Sequence, residues 1–338
     1  MTNNGLRLRP AAARRLISSA LLGAGAGQAN IGYLTDAILD TELSGMDGHG
    51  FYWLQYYCAH VKSGKVNGRV RPSVKKLTPV SYRVDARGGF THPAIEAGFK
   101  KLIPAAQKYG IAGMAVHNSY NAATLGFHTG YLAKAGLVAF GFTNAMPIVA
   151  PVGGRIPVLG TNPLSFAVPG RKGKLAFLID QSSTVVPWTS VKRAAEEGRD
   201  IPLGWALDSQ GNPTTDPHAG LLGSMVPAGG YKGFGIALMV EVMCAALAGA
   251  LRGPEQASFT EQDGRTVGCG QFFFALEPKM FSGGAFDGQI KALVKSITDQ
   301  KGARLPNAKR EATAKILARE GIPIPTEIYD VLRSYAKK

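Results

Sequence analysis

The chain has 338 residues, 45% of them hydrophobic and 18% charged, and its 38 Lys and Arg outweigh 23 Asp and Glu for a formal charge of +15. That length buries a large core in more than one lobe, and no apolar run approaches the roughly 18 residues of a membrane-spanning helix. The basic residues are scattered rather than interleaved with aromatics in blocks, so the charge points to attraction of an anionic cofactor or substrate and away from a nucleic-acid surface.

Arg7, Arg9, Arg14 and Arg15 precede a short apolar run ending at Leu22, which has the outline of a signal peptide. It reads equally well as a first helix over Ala11 to Leu22, stopped at Gly23. Ala29 to Leu43 carries Ile31, Leu34, Ile38 and Leu39 at helical spacing, with Gly45 as a stop. Gly48-His49-Gly50 then stands at the mouth of a helix through Phe51, Leu54, Tyr57 and Val61. A histidine between glycines is either a capping residue or one brought close to a ligand.

Val80 to Asp85 alternates like a strand, and Ala94 to Tyr109 reads as a helix in which Pro104 marks a kink or an earlier end. Ile111 to Val116 is an apolar strand, Asn118 to Asn121 a loop, and a helix follows to about Ala135. Leu137 to Phe142 is strand-like and leads into Ala150 to Pro169, a stretch of tight turns at Gly153-Gly154 and Gly160-Thr161-Asn162-Pro163 between short apolar segments.

Leu175 to Asp180 is a strand ending in a carboxylate, Val191 to Glu197 begins a helix, and Gln210 to Pro213 is a turn. Gly229 to Gly235, with Lys232, opens a helix over Ile236 to Ala250. Its sides are apolar nearly all round, so it is expected to be central and buried. Glycines and a lysine ahead of a helix also suggest an anion site, though not a Walker A motif. Gly270 to Leu276 is a strand. Ile290 to Ile297 and Ala312 to Glu320 are helices, joined by a segment that includes Arg304 to Arg310. No Gly-x-Gly-x-x-Gly follows a strand, which argues against a Rossmann site. Cys58, Cys244 and Cys269 have no metal-like spacing, so no metal site is expected and a reducing cytoplasm is the expected compartment.

Taken in order, Gly48-His49-Gly50, Asn118-Ser119, Thr143-Asn144, Gly153-Gly154, Gly160-Thr161-Asn162-Pro163, Asp180, Thr214 to Pro217 and Gly229 to Gly233 resemble the malate/L-lactate dehydrogenase family without a Rossmann fold, and its Δ1-piperideine-2-carboxylate reductase branch in particular. The resemblance runs over nearly the whole chain. It implies an α/β fold with a mixed, largely antiparallel sheet in a cofactor domain (116–250), a helical substrate and dimerisation lobe (1–115 with 251–338), and a homodimer. It also implies NADPH or NADH as cofactor and a small-molecule substrate.

In that family a Ser-His pair begins a helix, an Arg one turn later grips the substrate carboxylate, and the His donates the proton. In the piperideine reductase branch an Asp completes a relay with the Ser and His. By resemblance His49 is the proton donor. The Ser position is Gly48, the Arg position Trp53, the relay Asp position Ser190, a nearby His position Trp188, and a loop His position Asn121. Thr161 is kept for substrate contact. Asn118, Ser119, Asn121, Asp180, Lys232, Arg304 and Arg310 make the expected cofactor set.

A neutral indole in place of a guanidinium loses a charge-assisted contact, and Trp53 with Trp188 reads as an aromatic wall or as core filler. The expected activity is reduction of a cyclic imine or 2-oxo compound bulkier or less anionic than malate or lactate. The departures at Gly48, Trp53 and Ser190 keep open a relative with a non-redox tailoring or cofactor-binding role.

Overall fold

The computed structural model describes residues 6–262 and 264–337. β1 (Leu6–Leu8) pairs antiparallel with β12 (Ile322–Ile324), so the two ends of the described chain are clasped together. α1 (Pro10–Gly23), α2 (Gln28–Leu43), α3 (Phe51–Ser63) and α12 (Thr326–Ala336) pack beside this clasp. α1 starts with a proline at its first position, where no amide partner is needed. It buries Ala13, Ile17, Ala20 and Leu21 at helical spacing. A Cβ on Gly23 would lie 1.9 Å from the carbonyl oxygen of Tyr335, so glycine permits the close approach of α1 and α12. The run preceding Leu22 is thus an integral helix of this lobe.

The main sheet has the order β2 (Ser73–Thr78), β3 (Ser81–Asp85), β4 (Ile111–Ser119), β11 (Cys269–Leu276), β5 (Val138–Thr143), β6 (Leu164–Pro169) and β7 (Leu175–Gln181). Only the β3–β4 pairing is parallel. This is the expected α/β class with a mixed, largely antiparallel sheet, and it is not a Rossmann arrangement. The sheet runs across the boundaries expected at 115/116 and 250/251: β4 spans the first, and β11, from beyond the second, pairs with β4 and β5.

α4 (Thr91–Tyr109) and α5 (Leu125–Lys134) cover one face, burying Ile95, Phe99, Leu102 and Leu132 against Met114, Val116 and Phe273. α4 runs unbroken through Pro104. Pro104 and Lys100 are both exposed, so water reaches the carbonyl that the proline leaves without a partner. On the opposite face Phe177, Phe166, Phe140 and Phe274 form a cross-strand ladder with neighbouring centroids 4.6 to 6.2 Å apart.

A smaller unit follows β7. It comprises α6 (Trp188–Glu196), β8 (Ala206–Leu207), β9 (Pro213–Thr214), α7 (Pro217–Leu222) and β10 (Ser224–Met225) around Val149, Val191, Ile201 and Met225. α8 (Tyr231–Glu241) continues as a π-helical turn over Val242–Leu247. The expectation of an all-round buried helix here is corrected. One side, with Ala237, Val240, Glu241, Cys244, Ala245 and Ala248, faces the interior, while Leu238 (47%), Met239 (45%), Val242 (48%) and Leu247 (60%) are exposed. α9 (Pro278–Phe281), α10 (Phe286–Thr298) and α11 (Ala308–Glu320) complete the chain before β12.

One buried carboxylate joins these parts. Glu241, at the end of α8, accepts hydrogen bonds from Asn144 Nδ2 (3.2 Å), Asn162 Nδ2 (2.8 Å) and the Gly253 amide (2.9 Å). Asn162 also accepts from the Ala145 amide at 3.1 Å and donates to the Ala237 carbonyl at 2.9 Å, from a left-handed backbone with φ 35°. Asn144 Oδ1 accepts from the Gly270 amide at 2.8 Å. The Gly160 to Pro163 turn, the end of β5, the turn at Gly253 and the start of β11 are therefore held by one group. Glu241→Ala should lower stability by about 3 kcal/mol, since three buried donors lose their acceptor. Urea denaturation checks this, with the midpoint falling and the slope unchanged.

Candidate active site

Between α2 and α3 the chain makes a short 3-10 turn over Asp47–His49. The buried carboxylate of Glu42 accepts the Phe51 amide at the first turn of α3, where backbone donors are open and negative charge is favoured. Gly50 makes this approach feasible, since a Cβ there would lie 1.9 Å from Glu42 Oε1. His49 is thus fixed at the mouth of α3, on the wall of a cleft of about 600 Å³.

Beside His49 the cleft is aromatic. Trp53 is buried edge-on against Phe259 at 4.7 Å and lies 5.0 Å from Tyr52 and 5.2 Å from Tyr56. Trp188 enters the same wall from α6. Lys192, one turn later, places Nζ 5.5 Å from the Trp188 ring centre, 5.6 Å from Tyr52 and 6.0 Å from Tyr56, which ties α6 to α3 by cation–π contact. Phe259 sits on the loop after Gly253. That loop is held from below by buried Lys65, whose Nζ donates to Ser258 O at 2.6 Å and Glu261 O at 2.7 Å. His60 Nε2 donates to Glu261 O at 2.9 Å, and its Nδ1 lies 2.5 Å from the Tyr120 hydroxyl.

The middle of the cleft is polar. Thr143, Thr161, Asn121 and the residues leading into α5 line it. Asn121 Oδ1 accepts from the Tyr57 hydroxyl and the Ala123 amide, both at 2.7 Å, and shapes the turn in which Ala123 has φ 52°. At the far side Asp180 is buried, which raises its carboxyl above the ordinary range, while Arg310 at 3.3 Å and the Gly126 amide draw it back. Arg310 also donates to the Asp180 carbonyl. Beyond this pair lies a second chamber of about 340 Å³, sharing Asp180, Gln181 and Arg310 with the first and lined further by Arg304, Pro306, Asn307 and Lys309.

Of the residues expected from sequence, His49, Trp53, Asn121, Thr161, Asp180, Trp188 and Arg310 line the main cleft together, and Arg304 joins Arg310 in the second chamber. Four lie elsewhere. Ser190 turns aside, and its neighbour Thr189 lines the cleft instead. A Cβ on Gly48 would lie 3.5 Å from Thr189 Oγ1, so the side chain facing the Ser position of the resembled relay is Thr189. Asn118 is not in a loop: it is the penultimate residue of β4, and its Nδ2 donates to Asp85 Oδ1 at 3.0 Å. Ser119 ends that strand fully buried, its hydroxyl 2.7 Å from Cys269 O and 2.8 Å from Gln271 Oε1. Lys232 is exposed on the first turn of α8 and lines neither chamber. Phe259, Gln256, Met146 and Ile148 line the cleft without any periodic signal in sequence. Among the described residues no three or more His, Cys, Asp or Glu side chains converge as metal ligands would.

A family model described as malate/L-lactate dehydrogenase matches residues 8–333, and the chain belongs to that family. It is 40% identical over 300 residues to a (2R)-3-sulfolactate dehydrogenase (NADP(+)) of Chromohalobacter salexigens, covering 89% of each chain. It is 34% identical over 305 residues to a Δ1-pyrroline-2-carboxylate/Δ1-piperideine-2-carboxylate reductase of Pseudomonas aeruginosa, covering 89% of this chain and 91% of that one. The solved structure of Δ1-piperideine-2-carboxylate reductase from Pseudomonas syringae pvar. tomato superimposes with a TM-score of 0.91 at 29% identity, over 98% of this chain and 99% of that one.

Two buried histidines brace the cleft walls. His128 donates Nε2–H to the Ala122 carbonyl at 3.0 Å, at the turn into α5, and burial pushes its pKa down to about 4. Burial, then nearby Lys65, likewise lowers His60 to about 4. Both are neutral in the fold, whereas the unfolded chain takes up protons below about pH 6.5. Their contribution is therefore fully present above that value and is lost as pH falls from about 6.5 toward 4, about 3 kcal/mol for His128 alone. Urea midpoints measured from pH 7 to 4.5 should fall across this window, and more shallowly in His128→Gln.

Proposed function

We propose that this chain is an NADPH-dependent reductase, with NADH the weaker cofactor, of a cyclic imine or 2-oxo compound bulkier or less anionic than malate or lactate. The observation that carries the reading is His49 fixed on a cleft that is aromatic at one end and opens into a basic chamber at the other. Two relatives, an NADP(+)-linked sulfolactate dehydrogenase and a reductase of cyclic 2-imino acids, supply the reaction class.

A dinucleotide fits the donors present. Arg304 and Lys309 offer charge for a phosphate, Arg310 is braced by Asp180, and the turn into α5 presents helix N-terminal amides, Thr124 making no side-chain cap. Charge beyond the Asp180–Arg310 pair favours the cofactor carrying the additional phosphate. When bound, the dihydronicotinamide supplies a hydride to the prochiral carbon and is itself oxidised. The electron pair of the C=N or C=O bond moves to nitrogen or oxygen, and His49 gives its proton there, regaining one from solvent. Thr161 and Asn121 orient the substrate, and the wall of Trp53, Phe259 and Trp188 packs on its apolar part and keeps water away.

The exposed apolar residues of α8 and the half-buried phenylalanine ladder suit a covering second copy, so the working unit is proposed to be a homodimer. Three free, buried cysteines support a reducing compartment, the cytoplasm.

The purified protein should oxidise NADPH in the presence of cyclic 2-imino acids or bulky 2-oxo acids, and NADH more slowly. His49→Ala should cut the rate about 10²–10⁴-fold with cofactor affinity unchanged. Tight cofactor binding with no oxidation on any imine or oxo compound would favour the non-redox alternative. A second expectation concerns Trp53. Wild type should prefer substrates with a ring or hydrocarbon chain to pyruvate and malate, and Trp53→Arg should raise kcat/KM on the small acids by about 10- to 100-fold, the worth of one charge-assisted contact. Efficient turnover of pyruvate or malate by wild type would exclude the aromatic-wall reading.

A further inference from the structure

Most polar side chains of the cleft are spent on its own wall. Thr143 donates to the Gly270 carbonyl, Thr184 to the Val186 carbonyl and Gln256 Nε2 to the Leu251 carbonyl, while Thr124 pairs with Thr41 and Thr260 with Ser258. Among the described residues Arg310 is the one Lys or Arg side chain on the cleft, and Asp180 matches it. Asn121 differs. A backbone amide only donates, so the Asn121 atom that the Ala123 amide meets at 2.7 Å is the oxygen. The Tyr57 hydroxyl donates to the same oxygen at 2.7 Å. Two donors on Oδ1 fix the plane of the carboxamide, and Nδ2, with two N–H groups, has no acceptor among the described residues and is not sealed off by them. Asn121 lines the cleft and Tyr57 does not. The tyrosine ring is buried behind the wall, 5.2 Å from Tyr120 and 6.0 Å from Phe90 and from Phe259. Asn121 thus shows the cleft a neutral donor that an amide flip cannot turn into an acceptor without breaking both bonds.

We propose that Asn121 is the neutral anchor of this site and Tyr57 its positioning residue: Nδ2 donates to an oxygen of the acid, ester or amide group bonded to the prochiral carbon. This rests on the reductase reading above and names its substrates as 2-imino and 2-oxo acids together with their uncharged esters and amides. A carbonyl oxygen accepts from an amide N–H as a carboxylate oxygen does. The stronger bond of the carboxylate is offset by the cost of taking its charge out of water, whereas a guanidinium fork would favour the anion. With that oxygen held in the polar middle of the cleft, the ring or chain of the substrate lies toward Trp53, Phe259 and Trp188. Without the Tyr57 hydroxyl, the Ala123 amide alone would hold the carboxamide, and its donor would be less well aimed.

Two probes test the anchor without turnover: 2-hydroxy-2-phenylpropanoate and its methyl ester. Each has a ring and a carboxyl oxygen but no hydrogen on the carbinol carbon to transfer. Binding is read from tryptophan fluorescence of the full chain saturated with NADP(+), with cofactor affinity measured separately as the control for folding. Wild type should bind acid and ester within about 10-fold of each other. Asn121→Asp keeps both bonds on Oδ1 but loses the donor. It should weaken the ester about 10-fold and the acid further, with cofactor affinity unchanged. Tyr57→Phe should weaken both probes about 3- to 10-fold, and add nothing in the Asn121→Asp background, a coupling that a merely structural tyrosine would not show. An acid-to-ester ratio above about 100, no binding of either probe by wild type, or affinity untouched by Asn121→Asp overturns the anchor. So does an Asn121→Asp loss that falls on the cofactor and spares the probes, since the donor would then face the nicotinamide carboxamide. Additive effects of Tyr57→Phe and Asn121→Asp overturn the positioning role. Activity reports on the underlying reading separately. Turnover of imines or 2-oxo compounds with probe affinity intact in Asn121→Asp keeps the reductase and refutes the anchor. Probe binding that depends on Asn121, with no NADPH oxidised on any substrate, keeps the anchor and refutes the reductase.

Discussion

A carboxyl group held by amide donors, buried where four segments meet, is the constraint on which the cleft depends. Among the described residues Glu241 is satisfied by amide donors, two from asparagine side chains and one from the backbone. Spreading one charge over several N–H groups allows it to be buried without a salt bridge. The consequence is positional. Asn162 is locked in place, so Thr161 beside it is presented to the cleft, and the start of β11 is fixed through Asn144, next to Cys269 on the cleft wall. The floor of the site is set by polar bonds and its roof, the loop with Phe259, by Lys65 and His60. Apolar packing holds the lobes, while hydrogen bonds hold the surfaces that meet the ligand.

How much of this was legible in the sequence varies with the kind of signal. Helices with apolar residues at a 3.6 period read closely: Ala29 to Leu43 was expected and Gln28–Leu43 is observed. β1 and β12 are three residues each, too short for any alternation to stand out, and their pairing joins positions with no local relation. The long apolar segment after Gly235 was misread because composition reports what a helix wants to bury and not whether its own chain buries it. At the site, His49, Trp53, Thr161 and Asp180, expected by resemblance to the family, line one cleft. Ser190 was displaced by one position from Thr189. The segment before α6 has no pattern to count from, and one residue turns a helical side chain by about 100°. Asn118 and Ser119 look like loop residues by type, yet β4 carries them and spends their polar groups on Asp85 and Gln271.

The cleft separates two kinds of recognition. Its basic chamber is reached past the Asp180–Arg310 pair, and its aromatic end is shut off by Trp53, Trp188 and Phe259. Low local polarity at that end strengthens any charge–charge contact made there. The same low polarity keeps His60 and His128 neutral, which ties the mechanical support of the walls to the proton concentration outside.

The clasp of β1 on β12 bears on how the protein is made. During synthesis the sheet has its last strand once Leu276 has left the ribosome, but the helical lobe is still missing α12 and its partner strand for β1. α1 then has no Tyr335 to approach, and the apolar sides of α1 and α3 stay uncovered. The half of the cleft that carries His49 is therefore completed only once α12 has emerged, and until then a folded sheet is joined to an unfinished bundle. The nascent protein in that interval is the one most in need of a chaperone. With β1 and β12 already side by side, a permuted chain in which the two strands are joined directly and an exposed turn is opened instead would make that pairing one of the first events of synthesis.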